Sequence, residues 1–469
     1  MNSPEAQVPA PTPEDFDVLD LFAGPGGLDV AAHFSHLRSI GIEWDGNACE
    51  TRYRAGLPTI HADVTVMRNE RWDEVPHARM LTGGPPCQSF SVAGKGAGRK
   101  ALTTVTALIE ELIDTPDDER IDKELSELDP RTGLVLEPLR YLIKAITSGR
   151  GPYEYVVLEQ VPTVLPLWGA YEDVLTSGSL TKFQPPGVDS EVRYEVVRDV
   201  LRTEEYGVAQ TRKRAVLIAR LVRADEEDRP DLKLPEPTHL RFGAKRRTKT
   251  QKDRNEDDTI PGVEVPATPP EKRQWRSMHK ALSAARAELV QSHDTIERPA
   301  NFYVVSNYSN GGISANRGIR QWDQPSFTVT GKVSRNVLAD GTGREIPRFT
   351  IHEAGVLQSF PGNYPWAGND QAQQVGNAVP PVFGMHVLGA ALGRKPDLPA
   401  ELNLAWPPAA PALVRELRRR GCGHAGGCPT KHPESTGAES EDPEPGAIAD
   451  QASSLPRPRT GASAKSSAK

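Results

Sequence analysis

Cysteine is scarce in this chain: four residues in 469. That is too few for a disulfide framework, so a reducing cytoplasm is the expected compartment. No apolar run is long enough to span a membrane. Met1 to Glu14 is proline-rich and lacks the apolar segment of a signal peptide, so it reads as a disordered leader. There is no excess of positive charge either. The formal net charge is −7, which excludes a wholly basic nucleic-acid coat but leaves room for a local basic cleft. The first glycine-rich turn, Gly24-Pro25-Gly26-Gly27, is not a GxGxxG. It also lacks the Lys-Ser/Thr that grips a phosphate.

What is present is enough for two or three domains. Apolar residues make up 37% and charged residues 25%, a globular balance diluted by 42 prolines and 40 glycines. Phe16 to Phe22 reads as a buried strand, followed by the glycine turn and an apolar helical stretch to about Phe34. Further strands are expected at Ser39–Glu43, Ile60–Val64, Ala78–Leu81, Tyr155–Glu159, Glu195–Leu201 and Arg214–Leu221. Strands alternating with helices imply an α/β fold with a doubly wound, mostly parallel sheet, and ligands gathering at the carboxyl ends of its strands. A charged, helix-prone insertion is expected over about 100–128. The alternation covers 15–225, breaks over 226–345 into a smaller second domain, and returns over 346–398. Residues 399–469 are rich in Ala, Pro, Ser and Glu, a composition expected of a disordered tail.

Several strand ends carry chemistry. Gly83-Gly84-Pro85-Pro86 stops a strand and displays Cys87 on a rigid turn, beside Gln88 and Ser89. Taken alone, a free cysteine also suits a buried core. Glu43 and Asp63 close the second and third strands. They suit the ribose hydroxyls and the adenine amino group of a nucleoside, although each alone also suits a solvated strand end. Glu159 closes the strand expected beside Cys87. A thiolate next to a carboxyl acid suits addition to a polarised ring. In Gln210-Thr211-Arg212-Lys213-Arg214, alternate residues share a face, so Arg212 and Arg214 can act together on a carbonyl, carboxylate or phosphate. Arg241 to Arg254 carries a basic run that suits either phosphate contact or a solvated linker. Cys422, His424, Cys428 and His432 match no strong zinc spacing, and no metal is expected.

Together these stretches resemble the DNA cytosine-5 methyltransferases that use S-adenosylmethionine. The resemblance spans about 20–220 and 345–395. It rests on Asp20-Leu21-Phe22-Ala23-Gly24-Pro25-Gly26-Gly27, Gly84-Pro85-Pro86-Cys87-Gln88-Ser89, Gln210-Thr211-Arg212-Lys213-Arg214, Leu357-Gln358-Ser359-Phe360-Pro361 and Gln374-Val375-Gly376-Asn377-Ala378-Val379-Pro380. It implies a Rossmann-like methyltransferase sheet, with a target-recognition domain at 226–345. Cys87 is then the nucleophile for carbon 6 of a flipped-out cytosine, Glu159 holds the ring edge, Arg214 meets the 2-oxo group and Arg212 braces the site. Phe22, Ala23, Gly24, Gly26, Gly27, Glu43, Trp44, Asp63, Pro85 and Asn377 are the implied cofactor residues, with Trp44 stacking on adenine. Double-stranded DNA is the implied partner of a monomer without membrane contact. A cognate restriction endonuclease is an open partner. Two departures stand out: Gln160 replaces the family's usual Asn after the acid, and His352 stands where Arg is usual. An RNA-methylating relative and a catalytically dead DNA-binding protein are the competing readings.

Overall fold

The structure, a computed structural model, describes residues 16–86, 96–114, 118–126, 132–188, 190–223, 229–243, 272–292, 296–309 and 317–421. The first body runs β1 (Phe16–Leu21), α1 (Gly27–Phe34), β2 (Ser39–Glu43), α2 (Gly46–Arg54), β3 (Thr59–His61), α3 (Val64–Asn69) and β4 (Ala78–Gly83). It continues with α4 (Gly96–Asp114), α5 (Asp118–Ser126), α6 (Glu137–Thr147), β5 (Tyr155–Gln160), α7 (Leu165–Thr176), β6 (Tyr194–Arg202) and β7 (Lys213–Leu221).

These strands form one seven-stranded sheet in the order β3-β2-β1-β4-β5-β7-β6. β1 to β5 pair in parallel, while β7 runs antiparallel to both β5 and β6. The fold is therefore the expected doubly wound, mostly parallel α/β sheet. Alternate side chains feed opposite faces, as the pleat requires. Val18, Met80, Val157, Val216 and Ile218 enter one core. Leu19, Leu21, Leu81, Val156, Leu158 and Leu217 enter the other. Each such buried aliphatic side chain contributes about 2 kcal/mol. The stretch expected as an insertion, about 100–128, falls on α4 and α5, both helical as its composition predicts. Val105, Leu108, Ile109 and Leu112 recur at helical spacing along α4 and are buried in the second core.

The second body contributes α8 (Met278–Ala284) and α9 (Arg286–Gln291), then an antiparallel sheet in the order β11-β10-β8-β9. Its strands are β8 (Tyr303–Ser309), β9 (Arg317–Gln321), β10 (Val337–Ala339) and β11 (Glu345–Ile346). The chain returns through α10 (Ile351–Leu357), α11 (Gln371–Asn377) and α12 (Pro381–Ala391). A reciprocal cap starts α10: Glu353 N donates to Thr350 Oγ1, and Thr350 N donates to the Glu353 carboxylate. α12 lies against α1 across Gly384, where a Cβ would come 2.7 Å from that of Ala31.

The tail expected from 399 is instead ordered as far as Gly421. Leu402, Leu404 and Trp406 are buried, and α13 (Pro411–Gly421) follows them. Three apolar anchors in an Ala- and Pro-rich segment outweigh the tail-like composition of 399–469 as a whole. Cys422, His424, Cys428 and His432 lie outside the described residues, as do Lys245 to Arg254 of the basic run. Among the described residues no helix is long and apolar enough to cross a membrane.

Candidate active site

The strands β1, β2, β4 and β5 end along one edge, and β7 enters there. β1 and β4 are neighbours whose chains wind to opposite sides, so a crevice opens between them. On one side of it lies the turn from β1 to α1. Phe22, Gly24 and Gly26 all have positive φ, at 58°, 55° and 102°. For Phe22 this backbone is strained and persists only where neighbours hold it. Among the described residues a Cβ on Gly24 would meet nothing within 4 Å, so the turn faces open space there. Gly27 is closed on the other side, where a Cβ would lie 2.3 Å from the Val379 carbonyl oxygen.

Glu43 at the end of β2 is buried and ties this turn to the next. Gly24 N donates to Oε2 at 2.7 Å, while Trp44 N and Asp45 N donate to Oε1 at 2.9 and 2.8 Å. A carboxylate has about four acceptor positions, so about one remains for a ligand hydroxyl rather than two. Burial raises the Glu43 pKa, and these amide bonds oppose the rise. Trp44 is 57% exposed, an unusual position for an indole. β3 ends at His61, earlier than expected, and Asp63 serves as the N-cap of α3. Asp63 Oδ1 accepts from Thr65 N at 2.7 Å and Val66 N at 3.3 Å.

A polar network sits beneath the turn. Arg52 on α2 pairs with Asp29 on α1 at 2.6 Å, both fully buried. Thr82 Oγ1 donates to Asp20 Oδ1 at 2.6 Å. Burial first, then the nearby Asp29, pushes the Asp20 carboxyl up to about 8. The Tyr364 hydroxyl, also fully buried, donates to the Pro25 carbonyl.

Across the crevice, Gly84-Pro85-Pro86 leaves β4 beside Glu159. A Cβ on Gly84 would lie 4.0 Å from Glu159 Oε2. Cys87 itself lies outside the described residues. Glu159 Oε1 is 2.8 Å from Arg214 Nε. That buried oxygen nevertheless accepts no hydrogen bond from the described residues, so it is charge-paired yet open to a donor. The side chain of Gln160 donates to the Pro85 carbonyl and accepts from Val161 N.

Alternation alone would pair Arg212 with Arg214 on a ligand, whereas the resemblance implies a brace; the contacts of Arg212 are of the second kind. It precedes β7 and is buried. Its Nη1 donates to the carbonyls of Val329 at 3.1 Å and Gly376 at 2.9 Å. Burial, then Arg214, lowers its pKa. Arg212 therefore braces the site from beneath. Gln210 joins the same brace: Val329 N donates to its Oε1 at 2.9 Å, and its amide donates to Gln358 Oε1 at 2.5 Å. Asn377 is exposed at the end of α11, accepting from Gln373 Nε2 at 2.7 Å. His352 points Nδ1 at the Gly362 carbonyl, 3.0 Å away.

The arrangement thus sets a glycine turn with open space at Gly24 across from a carboxylate–guanidinium pair, beside a turn that leads to a cysteine. Sequence reasoning missed Tyr364, Arg52 and Asp29. Tyr364 meets Pro25 across 339 residues of chain, a contact no local pattern announces.

Comparison with known proteins places the chain in a family. The family described as "C-5 cytosine-specific DNA methylase" matches residues 16–114 and 188–392. Type II methyltransferase M1.HphI of Haemophilus parahaemolyticus is 26% identical over 401 residues, covering 80% of this chain and 86% of that protein. Type II methyltransferase M.Eco47II of Escherichia coli is 27% identical over 374 residues, covering 78% and 76%. A crystal structure of S. pombe Dnmt2 methyltransferase aligns with a TM-score of 0.43 at 15% identity, covering 80% of this chain and 98% of that one. Matched over more than half its length by that one family, the chain belongs to the C-5 cytosine-specific DNA methylases.

Proposed function

We propose that this chain methylates carbon 5 of a cytosine turned out of a DNA duplex, with S-adenosylmethionine as donor and Cys87 as a transient nucleophile. One observation carries the reading: Glu159 pairs its Oε1 with Arg214 Nε at 2.8 Å, while its Oε2 faces Gly84 on the stem of the Cys87 turn.

The donor fits the pocket across the crevice. The space at Gly24 admits a ligand close to backbone, and Glu43 retains about one acceptor position for a ribose hydroxyl. The exposed Trp44 indole offers a face for adenine, beside Phe22 and the Asp63 carboxylate. Ala23, Gly26 and Gly27 shape the turn, and Pro85 and Asn377 complete the rim. When bound, the donor supplies an electrophilic methyl on a positively charged sulfur.

A stacked base is unreachable, so the cytosine must leave the duplex. The Cys87 thiolate then forms a bond to carbon 6. Glu159 accepts from the exocyclic amine with one oxygen and, carrying a proton on the other, gives it to ring nitrogen 3, drawing electrons across the ring; Arg214 meets the 2-oxo group, and the proton returns to Glu159 when the ring is restored. Carbon 5 becomes nucleophilic and takes the methyl. Loss of the carbon 5 proton to solvent returns an electron pair to the ring. The sulfur–carbon 6 bond then breaks and Cys87 is released as thiolate.

The second body is read as the target-recognition domain, and the sequence of the basic run from Arg241 suits contact with DNA phosphates. Kinship with proteins named type II methyltransferases supports a role in restriction-modification beside a cognate endonuclease. The protein is read as a cytoplasmic monomer. A duplex carrying 5-fluorocytosine tests the chemistry, because fluorine cannot leave carbon 5 as a proton does. With donor present, a denaturation-resistant adduct is expected from the wild type and none from Cys87→Ala. Absence of the adduct from wild type that binds both donor and duplex would support the dead reading instead. Bisulfite sequencing of DNA from expressing cells reports the site methylated.

A further inference from the structure

The ordered chain after 399 lies beyond the family match, which ends at 392. It starts on the second body: Arg276 Nη1 donates to the Leu402 carbonyl at 2.8 Å, and Asn403 Nδ2 to Glu288 Oε1 at 3.0 Å. It then crosses to the helices beside the glycine turn. Trp406 is 5% exposed, with ring centroids 4.8 Å from His33, 5.9 Å from Phe34 and 5.6 Å from Tyr364. Its indole N–H donates to the Ala55 carbonyl at 2.9 Å. Asn363 holds its backbone in both directions, at 2.8 and 3.0 Å. Farther on, Arg418 of α13 makes a bidentate pair with Glu50 of α2, at 3.0 and 2.5 Å.

This segment therefore grips α1 and α2. Those two helices begin at Gly27 and Gly46, just after the Gly24 turn and the Glu43-Trp44 strand end. The grip has a direct line to the turn. Tyr364 packs on Trp406 and donates its hydroxyl to the carbonyl of Pro25, which lies between Gly24 and Gly26. Of the three positive-φ residues in this turn, Phe22 is the one that is not glycine, and its conformation persists only when its surroundings hold it. A large indole with a satisfied N–H is the kind of anchor that can do so at little entropic cost.

We propose that residues 400–421 are a strap that sets the donor pocket, with Trp406 as its positioning residue, acting through Tyr364 on the Pro25 carbonyl. The inference rests on the reading of that pocket as the S-adenosylmethionine site.

The test measures S-adenosylmethionine binding by titration calorimetry on the full chain, alongside thermal stability and duplex DNA affinity. Trp406→Ala is expected to raise the donor Kd by about 10-fold or more, with the DNA Kd within about twofold of wild type. Trp406→Phe should recover most of the loss. Leu175→Ala, a buried deletion on α7 in the other core, is the stability control and should leave the donor Kd unchanged. A Trp406→Ala chain that melts as early as Leu175→Ala but binds donor like wild type would overturn the strap. Should Trp406→Ala fail to fold, Tyr364→Phe decides: it removes only the hydroxyl, so a raised donor Kd supports the strap and an unchanged one overturns it. Wild type that binds no donor overturns the pocket reading and the strap together. Wild-type binding shared equally by both variants overturns the strap alone.

Discussion

The side-chain amide of Gln160 donates to the backbone carbonyl of Pro85, joining the end of β5 to the stem that leads to Cys87. Its oxygen is occupied as well, by Val161 N, so the side chain is fixed at both ends. Glu159 is its chain neighbour, which puts the acid and the stem under one constraint. The resemblance gives Asn as the usual residue here, one methylene shorter. Gln160→Asn should therefore lose reach to Pro85 and slow the single-turnover rate of methyl transfer by about 10-fold, with donor affinity unchanged. A Gln160→Asn protein with the wild-type single-turnover rate would mean that the stem is set by other contacts.

Glu159→Gln keeps the shape of the side chain and removes its charge. Arg214 Nε, 2.8 Å away, then loses its counter-charge while the ring edge loses a carboxylate acceptor. A fall of about 10²- to 10⁴-fold in kcat is expected, the range for a positioned acid or base, with donor Kd little changed. Rapid-quench methylation assays and calorimetry on the same preparation separate the two quantities. An equal loss of donor affinity would assign Glu159 to the other side of the crevice.

Most of the sheet was legible because its strands are short apolar runs closed by Gly, Pro or a carboxylate, as Ser39–Glu43 and Tyr155–Gln160 illustrate. The strand-end acids were legible for the same reason. What hid from the sequence depends on contacts far apart in the chain. Arg212 shares the alternation of Arg214, yet it is spent on the carbonyls of Val329 and Gly376, 117 and 164 residues away. Asp63 differs from expectation for a local reason instead: it suits the end of a strand through Val64, but its Oδ1 caps a helix through Thr65 N and Val66 N. The segment after 399 has the composition of a tail, and three buried apolar side chains were enough to order it to Gly421.

Asp20 gives the fold a pH dependence of known sign. Its carboxyl is raised from 3.8 to about 8 by burial and by Asp29, so the folded chain binds a proton that the unfolded chain releases. Between those two values stability falls as pH rises, and above the higher one the loss is complete. Glu43, also raised by burial, acts in the same direction. Asp20→Asn keeps an oxygen for the Thr82 hydroxyl but cannot titrate. The wild-type Tm should decline from about pH 4 to about pH 8, and Asp20→Asn should flatten that slope. Equal slopes in calorimetric scans would mean that Asp20 is ionised in the folded chain.

Two glycines of one turn should fail in different ways when given a methyl group. A Cβ on Gly27 would meet the Val379 backbone oxygen at 2.3 Å, where neither side is a flexible side chain that can move away. Gly27→Ala should therefore destabilise the free protein by about 1–3 kcal/mol, the range for overpacking. Gly24 has φ of 55° and nothing within 4 Å of a Cβ. Gly24→Ala should cost only about 1–2 kcal/mol of backbone strain, but its methyl enters the space assigned to the donor. The donor Kd should rise by about 10-fold for Gly24→Ala, beyond anything its own melting shift accounts for. Paired melting curves with and without S-adenosylmethionine resolve this: the donor-induced shift in Tm should shrink for Gly24→Ala, while for Gly27→Ala the whole pair of curves should move down together. A full donor-induced shift in Gly24→Ala would place the adenosyl group elsewhere along the crevice.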